Sequence, residues 1–334
     1  MEWTHIGDLN KPFSCARSIS TTSRVQKAVV IMVKSVVLLV LPTLLLAGPA
    51  FRYEETTPVV TKAQVDQINA DRDWEASMDW VGDMTIAQAK KLMGRLPETS
   101  HFPEGKLNAL EQYLSVPTAF DSRTQWPGCV GAIRNQGADC GSCWAFSATE
   151  VLADRICIAS GAAKTLVVLS PQWLVSCDKT NHGCGGGNLQ NTWAYMVSNG
   201  VPLDSCDPYS SGDNDESGDC TAHCTTFYKA TDPREYKTPT SIQAAIITGG
   251  PVQTGFTVYS DFMSYKSGIY IYKSGIVVSG HAVKIIGWGA QGSTKYWIVA
   301  NSWGASWGLS GFFWIAFGQC GIDSDAFAGM PASS

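Results

Sequence analysis

Excess positive charge is what this chain of 334 residues lacks: 24 lysines and arginines stand against 29 aspartates and glutamates, a formal net charge of −5. Without a cationic surface to neutralise phosphates, nucleic acid is excluded as an expected partner. Internal repeats are absent, and so are Asn-x-Ser/Thr triplets, so glycan-dependent sorting has no acceptor. Zinc-type pairs of Cys-x-x-Cys or His-x-x-x-His clusters are missing as well. The single Cys-x-x-Cys, Cys140 to Cys143, is too little for a tetrahedral metal site.

What is present is apolar sequence, 45% of residues, enough to bury a substantial core. Of 11 cysteines, ten fall between Cys129 and Cys320, several beside Gly and Pro in loop-like sequence. That is how disulfides of a secreted or luminal protein are placed, with reduced cytosolic thiols as the rival reading.

Residues 1–27 are polar and uninformative, whereas Ala28 to Ala50 is almost wholly apolar, broken by Lys34, Ser35 and Thr43. Val36–Leu46 followed by Ala47-Gly48-Pro49-Ala50 has the core and the small-residue end of a signal peptide. A membrane-spanning helix is the rival, weakened by Lys34 and Pro42. Met32-Val33-Lys34-Ser35 would make an ordinary start for such a signal, leaving the first 31 residues as an upstream extension. Residues 1–50 are therefore expected to be extension and signal peptide.

Residues 51–115 are polar, with two helix-like pieces too small to build a core alone. One is Thr61–Asp71; the other, Thr85–Arg95, puts Ile86, Ala89, Leu92 and Met93 on one face, with Thr85 as N-cap and Gly94 as its end. Within 116–334, Ser170-Pro171-Gln172 predicts a helix with proline at its first position, and a further helix is expected over Asn188–Asn199, stopped by Gly200. From Pro251 onward β-type runs dominate: Val252–Tyr259, Gly268–Tyr272, Ala282–Trp288, Tyr296–Ala300 and Phe312–Phe317.

The stretch that organises the rest is Gln136-Gly137-Ala138-Asp139-Cys140-Gly141-Ser142-Cys143-Trp144-Ala145-Phe146. A turn-forming segment gives way to helical spacing (Ala145, Ala148, Leu152, Ile156), which puts Cys143 at a helix N-terminus. There, unpaired N–H groups and the helix dipole favour a thiolate. His281, in Gly280-His281-Ala282, and Asn301, in Asn301-Ser302-Trp303-Gly304, follow 138 and 158 positions later. Cys-Gly-Ser-Cys-Trp with a His and an Asn at about that distance is the pattern of a cysteine protease nucleophile and its partners.

On these residues the chain resembles the papain-like cysteine proteases, and within them the cathepsin B branch. Phe120-Asp121-Ser122-Arg123, Asp154-Arg155-Ile156-Cys157-Ile158, Val258-Tyr259-Ser260-Asp261-Phe262 and Cys320-Gly321-Ile322-Asp323-Ser324-Asp325 fit that branch, over about Pro117 to Pro331. The resemblance implies an α+β, papain-like two-lobed fold, with a helical left lobe, a β-barrel-like right lobe and the active-site cleft between them. Residues 51–115 would be a propeptide lying across the cleft, and 116–334 the peptidase domain.

The resemblance also assigns roles. Cys143 would be the nucleophile, His281 its proton shuttle and Asn301 the group that orients the imidazole. Gln136 would donate to the oxyanion beside the Cys143 N–H, and Trp303 would shield the His–Asn bond. Gly186 and Gly187 would pair with extended substrate, although Gly185 replaces the Asn usual in that wall. Asp325 would lie at the base of the S2 pocket and admit P2 Arg or Lys. Implied disulfides are Cys129–Cys157, Cys140–Cys184, Cys177–Cys220 and Cys206–Cys224, with Cys143 and Cys320 left as thiols and Cys15 outside the enzyme.

Each residue also has a bland reading: a buried cysteine is ordinarily inert packing, a His at a strand end or an Asn or Gln in a turn is ordinarily structural, and an acid near a C-terminus is ordinarily solvated. The Asp207–Asp219 run departs from the cathepsin B pattern. It contains neither histidine nor cysteine, so it reads as a shortened occluding loop without carboxydipeptidase action. The expected activity is thus that of an endopeptidase made as an inactive preproenzyme, needing neither metal nor organic cofactor. Expected partners are protein and peptide substrates, its own propeptide as inhibitor and cystatin-type inhibitors, with membrane contact only through an uncleaved signal segment. A monomer in the secretory pathway, a lysosome or acidic vacuole, or secreted from one, would fit. Alternatives are a catalytically silent binding member of the fold and a membrane-tethered luminal protease.

Overall fold

A computed structural model describes residues 54–98, 101–105, 115–161 and 166–332; the apolar run and Met32 lie outside the described residues. The N-terminal portion opens with helix α1 (Lys62–Asp71), strand β1 (Trp74–Ala76) and helix α2 (Ile86–Lys91). Both helices start on capping boxes, Thr61 with Gln64 and Thr85 with Gln88, which satisfy first-turn donors. Helix α2 ends at Lys91, short of the expected Arg95. Met93 closes a last turn onto Lys90, and from Gly94 the backbone bonds across the cleft instead of continuing its own turns.

Strand β2 (Phe120–Asp121) and the short helix α3 (Ser122–Gln125) precede α4 (Cys143–Ala159), α5 (Pro171–Cys177) and α6 (Leu189–Ser198). Helix α4 is buried over most of its length, which explains its near-continuous apolar and small-residue sequence. Ser170 caps α5 with Pro171 in its first turn, and Asn188 caps α6. Together with Phe327 and Ala282 these helices enclose a core containing Trp144, Leu152, Leu174 and Trp193.

The remaining elements are β3 (Ala230–Tyr236), α7 (Pro239–Gly249), β4 (Val252–Tyr259), β5 (Tyr265–Tyr270), β6 (Val277–Gln291), β7 (Thr294–Ala300), β8 (Phe312–Ala316) and β9 (Ala326–Pro331). The sheet runs β1-β5-β8-β7-β6-β4-β9-β3, with β2 paired to β6 off that path. This order has two ends, so the right lobe is an open sheet and not a closed barrel. Its core is rich in large aromatics, including Trp288, Trp297, Trp307, Phe256, Phe262 and Phe313. Residues Val59, Val60, Val65, Ile68 and Ile86 of the N-terminal portion join that core, so the segment that could not fold alone borrows the sheet's apolar face.

Lys284 on β6 is fully enclosed and ion-paired with Asp154 (2.8 Å) and Glu150 (3.3 Å) on α4. That triad ties the helix that begins at Cys143 to the strand that carries His281.

Candidate active site

Cys143 is the first residue of α4, and nothing from the Ser142 side chain caps the helix. The Ser142 hydroxyl instead lies 2.7 Å from the Tyr209 hydroxyl. The N–H groups of Cys143 and Trp144 face the thiol and favour its anion, while the Ala145 N–H donates to the Ser142 carbonyl. The Cys143 thiol accepts from the Ala282 N–H at 3.4 Å, next to His281 on β6. His281 holds Asn301 Oδ1 through Nε2 at 2.7 Å, leaving Nδ1 buried with no hydrogen-bond partner. Register does the placing: His281 faces Phe256 of β4 across an antiparallel ladder, and Asn301 directly follows β7. Trp303 lies against the imidazole, ring centroids 4.7 Å apart.

Gln136 is held from both sides of the cleft. Its Oε1 accepts from the Ser302 hydroxyl (2.7 Å), and its backbone carbonyl accepts from the Tyr209 hydroxyl (2.8 Å). Its Nε2 donates to the carbonyl oxygens of Cys140 (2.9 Å) and Leu92 (3.1 Å). Leu92 belongs to the N-terminal portion, so a carbonyl of this chain already occupies the amide that sequence reasoning assigned to an oxyanion.

The whole run Leu92–Glu98 threads the cleft. Gly187 donates to Gly94 (2.8 Å) and accepts from Leu96 (2.9 Å), and the Arg95 N–H donates to Gly280 (3.1 Å). A Cβ on Gly94 would stand 1.7 Å from the Gly141 carbonyl oxygen, so only glycine passes there. Asn188 donates to Pro97 (2.9 Å), and Glu98 accepts from the N–H groups of Leu189 and Gln190 in the first turn of α6. Arg95 pairs with Asp325, and Trp80 stacks on Trp303 at 5.4 Å.

This cover sets the electrostatics. Burial pushes the Cys143 thiol up to about 11, against the N–H groups of Ala282 and Gly94 that favour the thiolate. Burial likewise pushes the His281 imidazole down to about 4, with the Asn301 bond opposing. Under the segment the two groups are a neutral thiol and a neutral imidazole.

Four disulfides, Cys129–Cys157, Cys140–Cys184, Cys177–Cys220 and Cys206–Cys224, cross-link the helical side. Cys143 is the free cysteine among the described residues. Cys320, expected as a thiol, is disulfide-bonded. The Asp207–Asp219 run packs beside Gln136–Asp139 and contributes Asp213 to a groove of about 640 Å³ that Trp303, Asn135 and Gly137 also line. Arg95, Tyr209 and Ser302 were not singled out in the sequence. Ser302 adjoins a recognised motif, but Arg95 and Tyr209 act across long separations that no local pattern records.

The chain belongs to the papain family of cysteine proteases, whose family model matches residues 116–330. Its relatives are cathepsin B-like. One, cathepsin B-like cysteine proteinase 4 of Caenorhabditis elegans, is 35% identical over 82% of this chain and 94% of its own length. Cathepsin B-like CP3 of Giardia intestinalis is 41% identical over 68% and 78%. Among solved structures, proCathepsin B S9 from Trypanosoma congolense superposes with a TM-score of 0.78 at 32% identity, over 83% of this chain and 100% of that one.

Proposed function

We propose that this cysteine protease is an endopeptidase made as a latent precursor, and that the observation carrying the mechanism is the Cys143–Ala282, His281–Asn301 arrangement with Nδ1 of His281 left unpartnered. Once the cleft is uncovered, thiolate and imidazolium become the favoured pair. The thiolate attacks the scissile carbonyl carbon, and the oxyanion takes the Gln136 amide that Leu92 now holds, together with the Cys143 N–H. His281 gives its proton to the leaving amine, leaving a thioester on Cys143. Neutral His281 then takes a proton from water, whose oxygen displaces the thiolate.

Residues 51–115 are read as the propeptide because Leu92–Glu98 covers these groups. Gly187 would pair with substrate as it now pairs with this run, and Gly186, where a Cβ would stand 2.9 Å from the Gly94 carbonyl oxygen, would let the substrate backbone come close. Asp325 would form the base of S2, and basic P2 residues would be accepted. With Asp213 on the groove and no histidine in Asp207–Asp219, a substrate C-terminal carboxylate would find repulsion instead of a partner, which supports endopeptidase action. The disulfides favour the secretory pathway, an acidic vacuole or lysosome included. No described helix is long and apolar enough to cross a membrane.

The test pairs fluorogenic peptides with P2 Arg and P2 Phe, cleaved by processed wild type and by Cys143→Ala. Loss of activity in the variant by about 10³-fold or more supports the nucleophile, and cleavage of the Arg peptide supports Asp325 in S2. Peptidyl-dipeptide release from a free C-terminus would refute the open primed side, and an inactive processed wild type would favour a silent binding role.

A further inference from the structure

The cleft segment carries one guanidinium into the enzyme. The Arg95 side chain is 12% exposed and paired with Asp325, which is 13% exposed. Its depth is fixed by backbone bonds on either side: Gly187 to Gly94 and Leu96, and Gly280 to Arg95 itself. Room for the stem exists because position 255 on β4 has no Cβ. One built on Gly255 would stand 2.5 Å from Nε, 2.8 Å from Cδ and 3.0 Å from Cγ of Arg95.

We propose that Arg95 is a built-in guanidinium ligand of the Asp325 pocket and that Gly255 sets that pocket's size, so that one contact both holds the segment in the cleft and selects basic P2 side chains. The inference rests on the reading of Asp325 as the base of S2. The backbone supports a ligand that binds without being cut: the Arg95–Gly187 bridge is parallel, and the cysteine meets an N–H, that of Gly94.

The pairing is also incomplete. Arg95 Nη2 meets Asp325 Oδ2, whereas Arg95 Nε and Asp325 Oδ1 are buried with no hydrogen-bond partner. An arginine–carboxylate pair reaches full strength as a two-bond fork, and half of this fork is unused. Desolvation is therefore poorly offset, which makes the contact a latch that can be released. Removing the guanidinium takes away the charge that opposes burial of Asp325 and the nearby carboxylates of Glu98 and Glu235, leaving it the Ser324 hydrogen bond. Lysine would restore a charge but not the planar fork, and Gly255→Ala would drive the stem from its place.

The experiment uses the full-length chain and reads alkylation of Cys143 by iodoacetamide at pH 7, a measure of how often the cleft opens. Arg95→Ala is expected to speed labelling about tenfold or more, with Arg95→Lys falling between it and wild type. Gly255→Ala is expected to speed labelling similarly and, after the segment is removed, to lower P2 Arg cleavage relative to P2 Phe about tenfold. Wild-type labelling rates in Arg95→Ala, or an unchanged Arg-to-Phe ratio in an active Gly255→Ala enzyme, would overturn the inference. Labelling needs no turnover, so a processed wild type that cleaves neither peptide counts against the protease reading, and the labelling arm then decides the latch alone.

Discussion

On the helical side of the cleft, the loops that carry Gln136 and Gly187 and lead into Cys143 have little ladder of their own, and all eight cysteines of the four described disulfides lie there, between Cys129 and Cys224. On the sheet side, His281 and Asn301 are placed by strand register over a core in which Trp307 touches Trp303, Phe262 and Phe313. Irregular backbone needs cross-links to hold a catalytic geometry, whereas a ladder with a packed face supplies the geometry by itself. Cys143, His281, Asn301 and Gln136 stand where the two kinds of support meet, and the N-terminal segment covers that seam.

Uncovering the seam should give the largest effect. With the thiol held up to about 11 and the imidazole down to about 4, the reactive thiolate is scarce at neutral pH. Its share grows tenfold per pH unit below 11. Alkylation of Cys143 in the intact chain should therefore climb steadily from pH 7 to 10 without a plateau. Removing the segment relieves the desolvation, and labelling at pH 6 should rise about 10³-fold and become nearly flat with pH. A flat profile in the intact chain would mean that the ion pair already exists beneath the cover.

The two kinds of support can be broken separately. Trp307→Ala opens a large hole in the sheet-side core and should cost about 3–5 kcal/mol in denaturant unfolding. Removing the Cys140–Cys184 bridge by the double change to serine should cost about 2–4 kcal/mol. The second change, though smaller in stability, should disturb the cleft more. It frees Gly141, whose N–H donates to the Cys184 carbonyl, and the glycine wall beside it. If both variants alter P2 Phe cleavage equally after processing, the contrast between the halves is wrong.

Sequence reasoning reached the parts governed by local chemistry. Thr85 and Ser170 cap helices as expected, the stretches expected from Thr61 and Asn188 begin helices one residue on, and Val252–Tyr259 is β4 residue for residue. Helix α2 was drawn four residues too long because Gln136 and Gly187 capture the backbone after Leu92, a competition no helix rule contains. Helix α7 was missed although Thr238 and Pro239 form a capped start. Strands β3 and β9 escaped notice because Pro233, Ala326, Ala328 and Gly329 carry little β character and pair only through the sheet. At the site, residues within motifs were legible. Arg95 was not, since its partner stands 230 positions away.

The smallest predicted effect tests whether the Gln136 amide, proposed to serve the oxyanion, depends on both halves. The Tyr209 hydroxyl donates to the Gln136 carbonyl and meets the Ser142 hydroxyl, so it joins the two ends of the loop that delivers Cys143. The ring is fixed edge-on to Phe146 at 4.6 Å, and burial pushes the hydroxyl up to about 12, so it stays protonated and can donate at any working pH. From the sheet side, Ser302 fixes the same glutamine through its side-chain oxygen. Tyr209→Phe keeps the ring and removes one bond, which should cost about 1 kcal/mol of stability. Because the developing oxyanion feels the amide's position more than bound substrate does, kcat should fall about three- to tenfold with KM little changed. Ser302→Ala should act in the same direction, and the double variant should lose less than the product of the two, since both act through one amide. A rise in KM with kcat intact would instead make Tyr209 a support for the Asp207–Asp219 loop alone, and the amide would then be held from the sheet half only.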